Sequence, residues 1–305
     1  MDNPSHKVFV VYNPKAGGEN QAEELRSTLS QHFTAPRWSL EIHETTAEED
    51  VTSVCRAACD RGLSLLVSAG GDGTLLYVAN ALVGRPIPLG IIPMGTGNLL
   101  AKVLGIPSKL NEAIKLLSGD HTTIEIDTLK VGDRHFLSNV SVGISPIIMR
   151  DTSSEQKKQL GMLAYFWTIV KRSRLFNLRH YILTIDGKSR RVRASEIFIS
   201  NIPFLEKATE LYGPPKTLQD GQFELYLASA QTVGDYLRLL WDLFRGPSQP
   251  GSKLYHWESH NNVSIDAERA PQMVQGDGEI IGHTPVEVQM VPKSVQVIMP
   301  LPTKT

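Results

Sequence analysis

Apolar positions in the first half of the chain come in short unbroken runs that alternate with helically spaced stretches. Residues 63–82 read LSLLVSAGGDGTLLYVANAL. The apolar run stops at Gly70-Gly71-Asp72-Gly73-Thr74, after which Leu75, Leu76, Ala79 and Leu82 recur at helical spacing, so the stretch predicts a strand, a tight glycine turn and a helix. Residues 7–12, 38–43 and 88–92 predict further strands; 20–29, 48–61, 99–104 and 110–117 predict helices. Repeated β-α units of this kind imply a mostly parallel sheet covered on both faces, a Rossmann-like three-layer α/β/α domain.

The period changes after about residue 119. Residues 124–131 and 135–142 around Gly132-Asp133, and 181–185 and 191–200 around Asp186-Gly187, read as two hairpins. Further strands are predicted at 222–228, 262–266, 272–275, 286–291 and 295–299, with helices at 160–171 and 233–244. This is a second, antiparallel domain, a β-sandwich. The division predicted is 1–128 and 129–305, with the final residues free to pack back on the first domain.

Composition narrows the picture. At 305 residues and 41% hydrophobic, the chain has material for two cores, and its net charge of -1 does not advertise a nucleic-acid partner. Cys55 and Cys59, four residues apart, have neither redox spacing nor a complete metal set, and are expected to be buried. The scattered histidines give no zinc spacing. There is no run of 18 apolar residues to span a bilayer, and the N-terminus does not resemble a secretory signal, so the expected location is cytoplasmic.

Three glycine-rich loops fall at strand ends: Asn13 to Gly18 (which includes Gly17), Gly70 to Thr74, and Gly95-Thr96-Gly97-Asn98. Strand carboxyl ends are where parallel α/β sheets bind ligands, and a helix N-terminus after a glycine turn suits phosphate. Neither standard nucleotide fingerprint is present, since Leu100 stands where a dinucleotide motif has its third glycine and no P-loop lysine follows. Asn13, Asn98 and Thr74 either donate to phosphate or cap turns and helices. Asp72 beside a phosphate makes chemical sense as a holder of Mg²⁺ or of a metal-bound water; otherwise it is a turn aspartate near a helix start.

Taken in order, these loops with Ile126-Asp127, Gly143, Leu160-Gly161, Tyr165, Asp220-Gly221 and Gly276-Asp277-Gly278-Glu279 resemble the diacylglycerol kinase catalytic-domain family, which includes bacterial lipid kinases and sphingosine kinases. The more distant NAD kinases share the Gly-Gly-Asp-Gly-Thr loop. The resemblance implies an ATP- and Mg²⁺-dependent lipid kinase with its active cleft between a nucleotide-binding α/β domain and a β-sandwich. Asn13, Gly17, Gly70, Gly71, Gly73, Thr74, Gly95, Thr96, Gly97 and Asn98 would bind ATP. Asp72 and Asp277 would serve the catalytic site, Glu279 would take the proton of the lipid hydroxyl, Asp127 matches an interdomain acidic position, and Asp220 matches a structural Mg²⁺ site. Leu99 departs from the aspartate common in soluble bacterial members, which leaves sphingoid bases or another lipid alcohol open beside diacylglycerol. An NAD kinase-like enzyme and a non-catalytic nucleotide- or lipid-binding regulator are the competing readings.

Two features of the second half bear on this chemistry. Asp277 and Glu279, separated by one residue, face the same side if the segment is extended, whereas Asp-Gly is equally what a hairpin turn favours. Residues 155–193 hold ten Lys or Arg against two acids, and with the apolar residues at 160–170 they suit peripheral attachment to an anionic membrane rather than nucleic acid. Oligomeric state is left open, a homodimer included.

Overall fold

The structure, a computed structural model, describes residues 6–16, 21–151, 178–202, 218–232, 234–235, 238 and 253–302. The chain divides into two compact units, Met1–Thr128 with Pro292–Thr305, and Leu129–Val291.

The first unit runs β1 (His6–Tyr12), α1 (Gln21–His32), β2 (Trp38–Glu44), α2 (Val51–Cys59), β3 (Leu65–Gly70), α3 (Asp72–Leu82), β4 (Leu89–Pro93), α4 (Leu99–Val103), α5 (Leu110–Ser118) and β5 (Thr122–Val131), the last three residues of which enter the second unit. Strands β2, β1, β3 and β4 lie side by side and parallel in that order. All six residues of β3 are buried, as a central strand covered on both faces requires. Val8, Val10 and Val67 pack with Leu25 and Leu29 of α1 and Ile114 and Leu117 of α5. Phe9, Val11 and Leu66, at the alternate positions, are buried toward the other face. Asp50 starts α2 by accepting the Thr52 and Ser53 amides, which sets that helix later than its hydrophobic pattern suggests. Cys55 and Cys59 are free and buried, as expected, and burial pushes the Cys55 thiol up to about 12.

The second unit contains β6 (Arg134–Phe136), β7 (Asn139–Gly143), α6 (Ile144–Asp151), β8 (Arg179–Ile185), β9 (Lys188–Ala194), β10 (Glu196–Ser200), β11 (Phe223–Ala228), β12 (Leu254–Ser259), β13 (Asn262–Ala267), β14 (Met273–Gly276) and β15 (Glu279–His283), and the first half of β16 (Val286–Met299). One antiparallel sheet has the order β12-β11-β10-β7-β14-β15. In the other, β16 pairs with β13, β13 with β8, and β8 with β9. Together they form the β-sandwich. Past Val291 β16 belongs to the first unit, where Val297 pairs in parallel with Leu89 of β4.

Several expected strands are cut or joined. The run at 135–142 becomes β6 and β7, in different sheets, because the Leu137, Ser138 and Asn139 amides turn away from the ladder to the Asp277 carboxylate. The run at 191–200 breaks at Ser195, whose amide and hydroxyl both donate to the Ala228 carbonyl. Conversely, the two runs near the C-terminus are one strand, β16. The helix expected at 160–171 lies outside the described residues, as does that at 233–244 apart from Gly234, Asp235 and Arg238.

Candidate active site

In the first unit the glycine loops after β3 and β4 are drawn together by backbone. The Met94 amide donates to the Gly70 carbonyl, and a Cβ built on Gly95 would stand 2.7 Å from the Gly71 Cα, so only glycine fits there. Asn13, at the end of β1, donates its amide to the Ala69 carbonyl and its side chain to the Thr74 hydroxyl at 2.9 Å. Its Oδ1 accepts the Lys15 amide. Asn98 sits in the left-handed region, φ 48°, and its side chain closes its own loop on the Gly95 amide and carbonyl. The polar side chains at these strand ends thus build the loops.

Asp72 joins the two loops. One carboxylate oxygen accepts the Asn98 amide and the other the Leu99 amide, both at 2.8 Å, so that Asp72 caps α4 from the first residue of α3. A Cβ on Gly97 would come within 2.5 Å of that carboxylate. Each oxygen accepts one backbone amide, and among the described residues no group of three His, Cys, Asp or Glu is placed to hold a metal ion. Asp220 likewise accepts the Gln222 amide in a turn before Gly221, φ 68°.

What the loops leave for a ligand is the first turn of α3. Its N-cap, Gly71, supplies no side-chain hydrogen bond, and first-turn amides have no carbonyl upstream within the helix. A Cβ on Gly73 meets nothing within 4 Å, so the space over these amides is open. An uncapped N-terminus of an eleven-residue helix, walled by Gly71 and Gly95, is an anion cradle of the kind that takes phosphate. Gly17 lies outside the described residues, and Thr96 lies on the 95–98 loop.

In the second unit, Asp277 and Gly278 form the β14–β15 turn with φ of 45° and 89°, both positive as a two-residue hairpin requires. Of the two readings the hairpin turn holds, and Asp277 and Glu279 do not share a strand face. The Asp277 carboxylate accepts the amides of Leu137, Ser138 and Asn139 at 2.6–2.9 Å, which fixes the start of β7 against the turn. Glu279 opens β15, half-buried, and pairs with Arg134 at 2.5 Å. Asp127, fully buried in the first unit, accepts the Lys293 amide.

Three residues escaped the sequence reading. Gln275, buried beside the turn, donates to Asn139 and Ser141 and accepts the Gly278 amide; its place directly before Gly276-Asp277-Gly278-Glu279 was the available signal. Glu196 is a carboxylate under the sandwich. One of its oxygens accepts the Ile144 and Ser145 amides at the start of α6 while the other has no hydrogen-bond partner among the described residues, and burial pushes its carboxyl up to about 7. A lone acid leading the apolar run Ile197-Phe198-Ile199 was its signal. Arg134 carried none.

Residues 7–131 match the model of the diacylglycerol kinase catalytic domain, and residues 138–299 match that of the YegS C-terminal NAD kinase beta sandwich-like domain. The chain belongs to the diacylglycerol kinase catalytic-domain family. It is thereby an enzyme of the lipid kinase class. Proteins similar to it include an uncharacterized Synechocystis protein, 31% identical over 96% of this chain and 70% of that one. The diacylglycerol kinase of Bacillus subtilis is 28% identical over 96% of each chain. A crystal structure of a diacylglycerol kinase from Bacillus anthracis shares the fold at a TM-score of 0.72, with 24% identity over 96% of this chain and 97% of that one.

Proposed function

We propose that this family member transfers the terminal phosphate of ATP to the hydroxyl of a diacylglycerol-like or sphingoid lipid. The observation that carries the donor half is the uncapped first turn of α3, open at Gly73 and walled by the glycine contact at Gly71 and Gly95. Its amides bind and orient the phosphates, and a fixed dipole there costs no reorganisation as charge moves onto the leaving oxygen. Mg²⁺, brought in with the nucleotide, neutralises phosphate charge when bound.

On the acceptor side Glu279 takes the proton of the lipid hydroxyl as its oxygen bonds to the terminal phosphorus; the bond from that phosphorus to the bridging oxygen breaks, and ADP leaves with the electron pair. Proton acceptance by a positioned carboxylate is worth about 10²- to 10⁴-fold. Glu279→Gln is therefore expected to lower kcat by at least about 100-fold while ATP binding, read by isothermal calorimetry, stays within a few-fold. Wild-type turnover in that variant removes Glu279 from the chemistry.

Peripheral attachment to an anionic membrane belongs to the same reading. Of the basic region, β9 carries exposed Lys188, Arg190 and Arg193; Arg190 lies 5.7 Å over the Trp257 ring, while Arg191 pairs with Glu268. Lys157, Lys158, Lys171, Arg172 and Arg174 fall outside the described residues. Among the described residues no helix is long and apolar enough to cross a membrane.

The test is transfer of labelled phosphate from ATP to diacylglycerol, sphingosine and monoacylglycerol in mixed micelles, with NAD as a parallel acceptor. Label in a lipid supports the reading. Label in NAD alone replaces it with an NAD kinase, and ATP binding without transfer to any acceptor replaces it with a regulator.

A further inference from the structure

We propose that Arg134 is the positioning residue of the acceptor carboxylate, a role that rests on the assignment of Glu279 above. Glu279 has three rotatable side-chain bonds, so holding its carboxylate in one direction needs partners on that carboxylate. Arg134 supplies one. The guanidinium donates to Oε2 at 2.5 Å and is itself propped 5.2 Å over the ring of Phe136, a fully buried side chain. That ring is pressed on Gly276 so closely that a Cβ there would stand 2.5 Å from it. Gly276 leads into the Asp277-Gly278 turn and Glu279 follows it. Arg134 and the turn are thus referenced to the same aromatic ring, and the turn is held a second time by Asp277 on the β7 amides and by Gln275 on the Gly278 amide.

Stability does not account for the pair. With side chains 42% and 28% exposed, it belongs to the class of solvent-screened ion pairs that add little to stability. Geometry does account for it, because a displacement of about 1 Å at a reacting group costs about 100-fold in rate. A planar guanidinium fixes a carboxylate in direction as well as distance, which an ammonium does less well.

The test is steady-state kinetics on the full chain with ATP, Mg²⁺ and dioctanoylglycerol micelles. Arg134→Ala is expected to lower kcat about 100-fold with both KM values within about twofold and the thermal midpoint unchanged. Arg134→Lys recovers part of the loss, and millimolar methylguanidinium partly restores Arg134→Ala. Because Arg134 acts through Glu279, adding Arg134→Ala to Glu279→Gln costs nothing further. Additive losses in that double variant, or a wild-type kcat in Arg134→Ala while Glu279→Gln is slow, overturn the proposal and leave the assignment of Glu279 standing. A wild-type kcat in Glu279→Gln overturns that assignment and this role with it.

Discussion

At the scale of single residues, the first unit divides its labour between side chains that build and backbone that binds. Asn13, Thr74, Asp72 and Asn98 all carry the polar groups expected of a phosphate site, yet they hydrogen-bond to one another and to loop amides. A motif reports which residues a loop needs without reporting whether a side chain faces a ligand or the neighbouring loop, so the loops were legible and the tasks of their side chains were not. Gly73 separates the two. In Gly73→Ala a methyl enters open space within a helix, so stability rises by up to about 0.5–1 kcal/mol on propensity alone, while the same methyl stands in the first turn proposed to take phosphate. The expected outcome is a higher denaturation midpoint in urea together with an increase of tenfold or more in the KM for ATP. A variant that gains stability at unchanged KM places the nucleotide elsewhere.

At the scale of elements, hydrophobic period located the strands of the parallel sheet to within a residue or two but could not see where a strand changes sheets. Both failures, at Leu137–Asn139 and at Ser195, are corners made by hydrogen bonds to residues far along the chain, Asp277 and Ala228. No local pattern encodes such a partner. Glu196 stands just after the second corner and anchors α6, and its buried carboxyl is shifted up to about 7 from an ordinary 4.5. The native state therefore keeps a proton that the unfolded chain releases above about pH 4.5, and stability falls as pH rises from there through about 7, by on the order of 3 kcal/mol over the whole window. Urea unfolding at pH 5 and pH 8 should show that loss in the wild type and a flatter profile in Glu196→Gln. Equal slopes in the two proteins sink the assignment.

At the scale of the whole molecule, the order of the loops carried the family and the change of period carried the two-layered second unit, because both are properties of long stretches rather than of single contacts. The lipid is another matter, since a pocket in a β-rich unit is assembled from residues dispersed in sequence. Charge is legible at this scale too. Vesicles containing phosphatidylglycerol should sediment the kinase at low salt and release it near 0.5 M NaCl, and Lys188→Glu with Arg193→Glu should weaken capture by about thirtyfold or more, at roughly 1 kcal/mol per well-placed cation; capture indifferent to salt and to both substitutions rules the strand out as a membrane contact. The path of β16 has a consequence in time. Its second half completes a sheet whose other parallel strands were all translated by Pro93, so β4, four of whose five residues are buried in the finished protein, leaves the ribosome about two hundred residues before the strand that covers its edge. A fragment ending at Val131 should consequently be recovered in the pellet on expression and bind a chaperone of nascent chains, whereas the full chain should not; a soluble, cooperatively melting fragment would show that the edge can wait uncovered.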